Sequence, residues 1–198
     1  MSDISGIGGV GPINVQGLDL ETAMMAVQSQ RANLLETQLK DQISSVQARN
    51  DQISKLNQLL GTLNKAAALF GGDAKADTRI DKNSQFSANS YAIEREVNSA
   101  AITAGVNLDF GTNTSDGGAL TNSGSRLPGG LRGDVTKGKL DGKIQEIKSQ
   151  IDSLSNSQQM DMLRLQSLSN KRNEAFETMT NFIKKMQDSR SSIIGNMR

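Results

Sequence analysis

The sequence contains no cysteine and no histidine, and each absence removes a class of chemistry. Without cysteine there is no disulfide bond, and without both cysteine and histidine there is no thiolate or imidazole to bind zinc. A Ser/His/Asp triad and a cysteine nucleophile are excluded for the same reason. Since no pair of carboxylates is marked by its spacing as an acid–base couple, we expect a non-enzymatic protein with no cofactor and no metal.

Aromatic residues and long apolar runs are also scarce. Phe, Tyr and Trp make up 3% of the chain and hydrophobic residues 35%, with a mean hydropathy of −0.45. This composition is thin for a compact globular core and suits long helices that bury a narrow stripe. No apolar run is longer than that of residues 66–70, which is far shorter than the ~18 residues that span a bilayer, so we expect no membrane span. The net charge of +1 favours neither nucleic acid nor an anionic membrane as a partner.

Two stretches without proline carry a seven-residue apolar repeat. The first has an apolar residue at every seventh position from Met25 to Ala67, and a companion series that is polar in its middle. The second has two such series, which start at Ile144 and Ile147 and are interrupted by three polar residues, Gln158, Asp161 and Arg172. Apolar residues at this spacing are typical of the a and d positions of a coiled coil.

We therefore predict an all-α fold, a long antiparallel coiled-coil hairpin of N- and C-terminal helices with an irregular glycine-rich insert. The expected regions are a flexible glycine-rich segment (1–18), an N-terminal coiled-coil helix (19–70), an irregular insert or small head (71–138) and a C-terminal coiled-coil helix (139–198). The alternative is a pair of ordinary bundle helices with an incidental repeat. The residues expected to form the coiled coil and to mediate self-assembly are Leu39, Val46, Ile53, Leu60, Ile144, Ile151, Leu154, Leu165, Leu168, Phe176, Met179, Phe182, Ile183, Met186 and Ile193.

The ends of the two long helices are predicted from capping residues. Asp19 suits the N-cap of the first helix, and a glycine pair after Phe70 suits its end. The second helix is expected to begin between Gly138 and Gly142 and to end at Gly195, which suits a C′ position.

The insert differs in composition from the helices, because 11 of the 19 glycines lie in residues 71–138. We expect it to be exposed and irregular, with its few apolar residues packed against the coiled coil. Apolar residues at helical spacing predict a short helix over 90–104, with Gly105 as its stop. Residues 106–110 suggest a short strand, and glycine-rich sequences predict turns at 116–118 and 127–130.

Several apolar side chains lie off the predicted seam. A two-helix hairpin covers one stripe on each helix, so the others need the insert, or other molecules, to cover them. The alternative is a compact four-helix-like fold that absorbs them. These residues are Met24, Leu34, Ile43 and Leu59 on the first helix and Met160, Met162, Leu163, Phe176, Ile183, Ile194 and Met197 on the second.

The C-terminal residues 158–198 read QQMDMLRLQSLSNKRNEAFETMTNFIKKMQDSRSSIIGNMR. This string resembles the C-terminal helix of small secreted filament and needle-tip proteins of bacterial type III secretion. The resemblance is closest to filament-forming tip proteins of the Bordetella type and more distant to those of the EspA and SseB type. It extends more weakly over residues 20–70 and is absent over 71–138.

The resemblance implies a secreted protein of the bacterial surface, exported by type III secretion with its N-terminal residues as the address. The start of the chain agrees, since it lacks the basic and apolar regions of a Sec signal peptide. The implied partners are further copies of the chain in a helical filament, the needle subunit, the translocator proteins and a cytosolic secretion chaperone. Three alternatives remain: a monomeric or low-order needle-tip cap, a cytosolic coiled-coil chaperone or adaptor, and a flagellin-like subunit.

Overall fold

The computed structural model describes residues 20–111 and 118–196, and 77% of these described residues are helical. The predicted all-α class is confirmed at this level. The helices are α1 (Leu20–Ala67), α2 (Ser84–Ala104) and α3 (Lys137–Asn196), and a single 3₁₀ turn spans Ile80–Lys82. Two short antiparallel strands, β1 (Ala119–Leu120) and β2 (Arg126–Leu127), pair Ala119 with Leu127 and Leu120 with Arg126.

The chain forms two compact units. The central unit comprises residues 47–159 and the terminal unit comprises residues 1–46 together with 160–198. Each long helix therefore contributes one part to each unit. Residues 1–19, predicted to contain the secretion address, lie outside the described residues, as do 112–117 and 197–198.

The central unit has a continuous apolar core built from all three helices and the segments between them. Residues of the insert supply a large part of this core and are at most 3% exposed. The insert is therefore more ordered than expected, because it contains α2 and its apolar residues pack on one another as well as on α1 and α3. The buried cluster includes Leu56, Leu59, Leu63, Ile80, Phe86, Val97, Ala101, Leu108, Phe110, Leu131, Val135, Leu140, Ile144 and Ile147.

Helix α2 has well-defined ends. The Asn83 side chain accepts a hydrogen bond from the backbone N–H of Gln85 at 2.8 Å, an N-cap. Gly105 ends the helix in the left-handed region at φ 66°, as predicted, and glycine adopts that conformation without a Cβ penalty. Residues 88–91 depart from helical backbone angles, so the uninterrupted part of α2 begins after Tyr91, close to the predicted start at Ser90, and a short helical turn precedes it from Ser84.

The segment after α2 is irregular, and Asp109 within it lies in the left-handed region at φ 49°. Leu108 and Phe110 are buried while their neighbours are exposed, which is the alternation that suggested a strand. Among the described residues, its only backbone–backbone hydrogen bond to another segment runs from the N–H of Phe110 to the carbonyl of Gly129 at 2.9 Å, so no ladder forms. The predicted strand is wrong.

The turn at Pro128 and Gly129 is present, the predicted turn at 116–118 lies mostly outside the described residues, and the β1–β2 hairpin was not predicted.

A buried asparagine, Asn98, joins α2 to β1 and to the segment that follows β2. The Asn98 amide donates to the carbonyls of Leu120 at 2.8 Å and Leu131 at 3.0 Å, and its oxygen accepts from the N–H of Leu131 at 2.7 Å. The carboxylate of Glu94 accepts from the N–H of Leu120 at 2.8 Å. These bonds satisfy backbone groups that would otherwise be buried without partners.

The long helices differ from prediction at their ends. Helix α1 ends at Ala67, where the last backbone bonds shorten to the i→i+3 type, rather than at Phe70. Helix α3 begins at Lys137, slightly before the expected start, and runs to Asn196. Gly195 therefore lies inside the helix, and its predicted C′ position is wrong.

Candidate functional site

The seven-residue repeat coincides with the less exposed side of both long helices in the terminal unit. We call its positions the seam. All seam side chains described there are buried or half-buried, except Ser189. They are Met25, Gln28, Ala32, Leu35, Leu39, Gln42 and Val46 on α1, and Asp161, Leu165, Leu168, Arg172, Ala175, Met179, Phe182 and Met186 on α3.

The seam is only partly covered in the terminal unit. Ala32, Leu35 and Ala175 form a small buried cluster, and Leu168 packs against it half-buried. Most larger seam side chains, such as Phe182, keep intermediate exposure. A pair of helices shields the centre of such a stripe and leaves its edges to solvent.

The structure divides the predicted assembly residues between the two units. Five of them belong to the central unit: Ile53, Leu60, Ile144, Ile151 and Leu154. Ile144 is buried, the other four are half-buried, and most of the five pack on the core of this unit. Those of the terminal unit are seam residues, apart from Phe176 and Ile183, which lie beside the seam and are 41% and 37% exposed. The side chain of Ile193 lies outside the described residues.

Large exposed apolar side chains are concentrated on the terminal unit. Of the twelve such side chains among the described residues, ten lie there, and the other two are Tyr91 and Ile102. Leu59, expected among them, is instead fully buried, and Met197 lies outside the described residues. The ten are Met24, Val27, Leu34, Ile43, Met160, Met162, Leu163, Phe176, Ile183 and Ile194.

Three of these residues form an ordered stripe on α3. Met162, Phe176 and Ile183 are separated by multiples of seven residues, so they lie on one face next to the seam. The stripe is about 32 Å long at 1.5 Å per residue, with Ser169 in the position that lacks an apolar side chain. We call it the flanking stripe. Single exposed apolar residues are common on proteins, whereas an aligned set indicates an interaction site.

Val27 was missed by the sequence analysis. It precedes Leu34 by seven residues, and the two side chains are 50% and 51% exposed. That spacing repeats on α1 the pattern of the flanking stripe, and it is the signal from which Val27 could have been found.

The central unit offers a pocket of about 560 Å³ with mixed chemistry. Its lining includes Phe86 and Tyr91, whose rings meet edge to face at 5.9 Å, and charged side chains of both signs, Asp81, Glu94 and Arg126. Such a balanced lining selects no ligand by charge, and the exposed apolar surface of the terminal unit is the stronger candidate site.

Within residues 20–111 and 118–196, no group of three or more acidic side chains is placed to hold a metal ion. None of the helices in that part of the chain is apolar enough over a sufficient length to cross a membrane. No protein-family model, no curated protein and no solved structure matches the chain.

Proposed function

We propose that the chain is a non-enzymatic structural subunit of an extracellular type III secretion filament or needle tip, which self-assembles through coiled-coil packing of its terminal unit. The observation that carries the proposal is the set of ten exposed apolar side chains beside a half-buried seam. Contact with further copies would remove this surface from water, at about 25 cal/mol per Å² of apolar area.

The antiparallel coiled-coil hairpin is part of this proposal. In the central unit, the amide of Gln158 on α3 donates to the side-chain oxygen of Asn50 on α1 at 2.6 Å. Both residues lie well away from the insert that joins the two helices, as an antiparallel pairing of α1 and α3 would require. In the terminal unit the buried cluster again combines α1 and α3, through Leu35 and Ala175.

The resemblance of residues 158–198 supplies the secretion context. The flanking stripe lies inside this string, and six of the ten exposed apolar side chains of the terminal unit belong to it. Under this proposal the protein leaves the cell through the needle, connects the needle to the translocator proteins and is kept from early assembly by a cytosolic chaperone.

Seam substitutions test the assembly. Leu165→Asp or Phe182→Asp places a carboxylate in the half-buried seam, and we expect either change to abolish assembly because an unpaired charge there costs several kcal/mol. Negative-stain microscopy of concentrated protein reads the outcome. Glu177→Asp, at an exposed position of the same helix, is the matched control and leaves assembly unchanged. Normal filaments from both seam variants would refute the proposal.

A low-order needle-tip cap is the second candidate, favoured by the central unit, whose packed core is complete without a neighbouring copy. Size-exclusion chromatography with light scattering separates the two, since a cap gives a sharp small species and a filament gives very large ones. Fractionation of bacterial culture tests export. Protein retained in the cytosol would instead indicate a chaperone or adaptor.

A further inference from the structure

The side chains of the flanking stripe differ in size in an order that complements itself when it is reversed. Its positions 162, 169, 176 and 183 hold Met, Ser, Phe and Ile. When two copies of the stripe run in opposite directions, Phe176, the largest side chain, can lie opposite Ser169, the smallest. In the same register Met162 lies opposite Ile183, so every apolar member of the stripe meets a side chain of the other copy.

Other pairings of the stripe with itself do not match large side chains with small ones. A parallel pairing in register places Phe176 opposite Phe176 and Ser169 opposite Ser169. An antiparallel pairing that is shifted by seven residues opposes two copies of Ser169 in one direction and two copies of Phe176 in the other. These arrangements leave a gap or crowd two rings, and both are destabilising in a packed contact.

The side of the stripe that faces away from the seam is uncharged. Each stripe residue is followed four positions later by an exposed neutral residue on the same face. We call these residues the neutral row: Gln166, Asn173, Thr180 and Gln187. A second helix covers amides and hydroxyls at far less cost than charges. The seam side instead carries Arg172, so a self-contact centred there would bring two guanidinium groups together.

We propose that a second copy of the chain packs antiparallel along α3, stripe on stripe and neutral row on neutral row, with Phe176 of each copy over Ser169 of the other. The two-fold axis of this contact lies at the level of residues 172 and 173, so Asn173 of each copy lies beside Asn173 of the other. The contact is isologous, because both copies use the same patch.

The proposal rests on the self-assembly proposed above and specifies the contact between two copies. An isologous contact closes on itself, so growth beyond a pair needs a second surface. Val27 and Leu34 on α1, which are 50% and 51% exposed, stay open for that purpose.

Single cysteines test the position of the two-fold axis, since the chain has no cysteine of its own. In the proposed register, position 173 of one copy is about 1.5 Å along the axis from position 173 of the other, whereas two copies of position 187 are about 44 Å apart. A short bifunctional maleimide is added at the lowest concentration at which the chain self-associates. We expect Asn173→Cys to form cross-linked dimers at least about tenfold faster than the control Gln187→Cys, because helices in contact are about 8–10 Å apart.

A mixture of two variants tests the antiparallel direction. Gln166→Cys in one copy lies level with Thr180→Cys in the other, whereas either position is about 20 Å or more along the axis from its own counterpart. We therefore expect mixed dimers from the mixture and few dimers from either variant alone. A mass tag on one variant identifies the mixed product by electrophoresis. A parallel pairing would instead cross-link each variant to itself.

Exchanging the two side chains tests the match of large with small. Phe176→Ser should slow the cross-linking of Asn173→Cys at least about tenfold, and adding Ser169→Phe should restore it, because a phenylalanine again faces a serine. The control adds Thr180→Phe instead, which returns the same ring to the neutral row and should not restore the rate. Equal recovery by the two additions would overturn the register.

The remaining outcomes separate this contact from self-assembly in general. Equal cross-linking at positions 173 and 187, or no mixed product from positions 166 and 180, would overturn the two-fold contact. Failure to cross-link at any of these positions while light scattering shows large species would overturn the contact and leave self-assembly intact. A single copy at every concentration would overturn both. Circular dichroism checks that each variant keeps its helical content.

Discussion

Phe176 gives the sharpest prediction, because it lies at the centre of the flanking stripe and outside the buried cluster. Its side chain is 41% exposed. Taking about 200 Å² for a whole phenylalanine side chain, roughly 80 Å² remain open to water, worth about 2 kcal/mol when a second copy covers them. Phe176→Ser should therefore raise the critical concentration for assembly about 30-fold.

The assay is pelleting of assembled protein across a concentration series, with the soluble fraction as the critical concentration. Ile102→Ser is the matched control, since Ile102 is a 50%-exposed apolar residue of the central unit. It should leave the critical concentration unchanged. Equal effects of the two substitutions, or no effect of Phe176→Ser with helical content retained, would refute the assignment of the stripe to assembly.

Two further predictions concern the central unit. Asn98→Ala leaves the carbonyls of Leu120 and Leu131 and the N–H of Leu131 without their partner. We therefore expect the free energy of unfolding, measured by urea denaturation, to fall by about 3 kcal/mol. A fall of less than about 1 kcal/mol would contradict the role of this residue. Gly130→Ala would place a Cβ 2.6 Å from the Asn98 oxygen, and we expect it to lower the free energy of unfolding by about 1–3 kcal/mol. The control is Gly72→Ala, whose Cβ meets nothing within 4 Å and which should change stability little. Equal effects of the two glycine substitutions would contradict the packing at Gly130.

The seven-residue repeat could be predicted from the sequence because one side of each long helix is less exposed than the other over most of its length. Positions that belong to the repeat are buried even where the residues are as different as Ala32 and Asp161. The degree of burial could not be predicted, since it depends on what packs against each turn. Leu59 illustrates this, because it lies off the seam and is buried by the core of the central unit.

The central unit was harder to predict because its order comes from contacts between segments that are distant in sequence. Asn98 bonds to a residue 33 positions later, and no local pattern indicates such a pairing. High glycine content suggested irregularity, yet Gly130 is required where Asn98 and Ala119 approach too closely for a side chain. Gly105 was predicted correctly because a helix stop is a local property.

Light scattering of the purified, unmodified chain from low to high micromolar concentration tests the central claim most directly. Self-assembly through the exposed surface of the terminal unit predicts a mass that rises steeply with concentration and becomes very large. A chain that keeps the 21.2 kDa mass of a single copy throughout would contradict it.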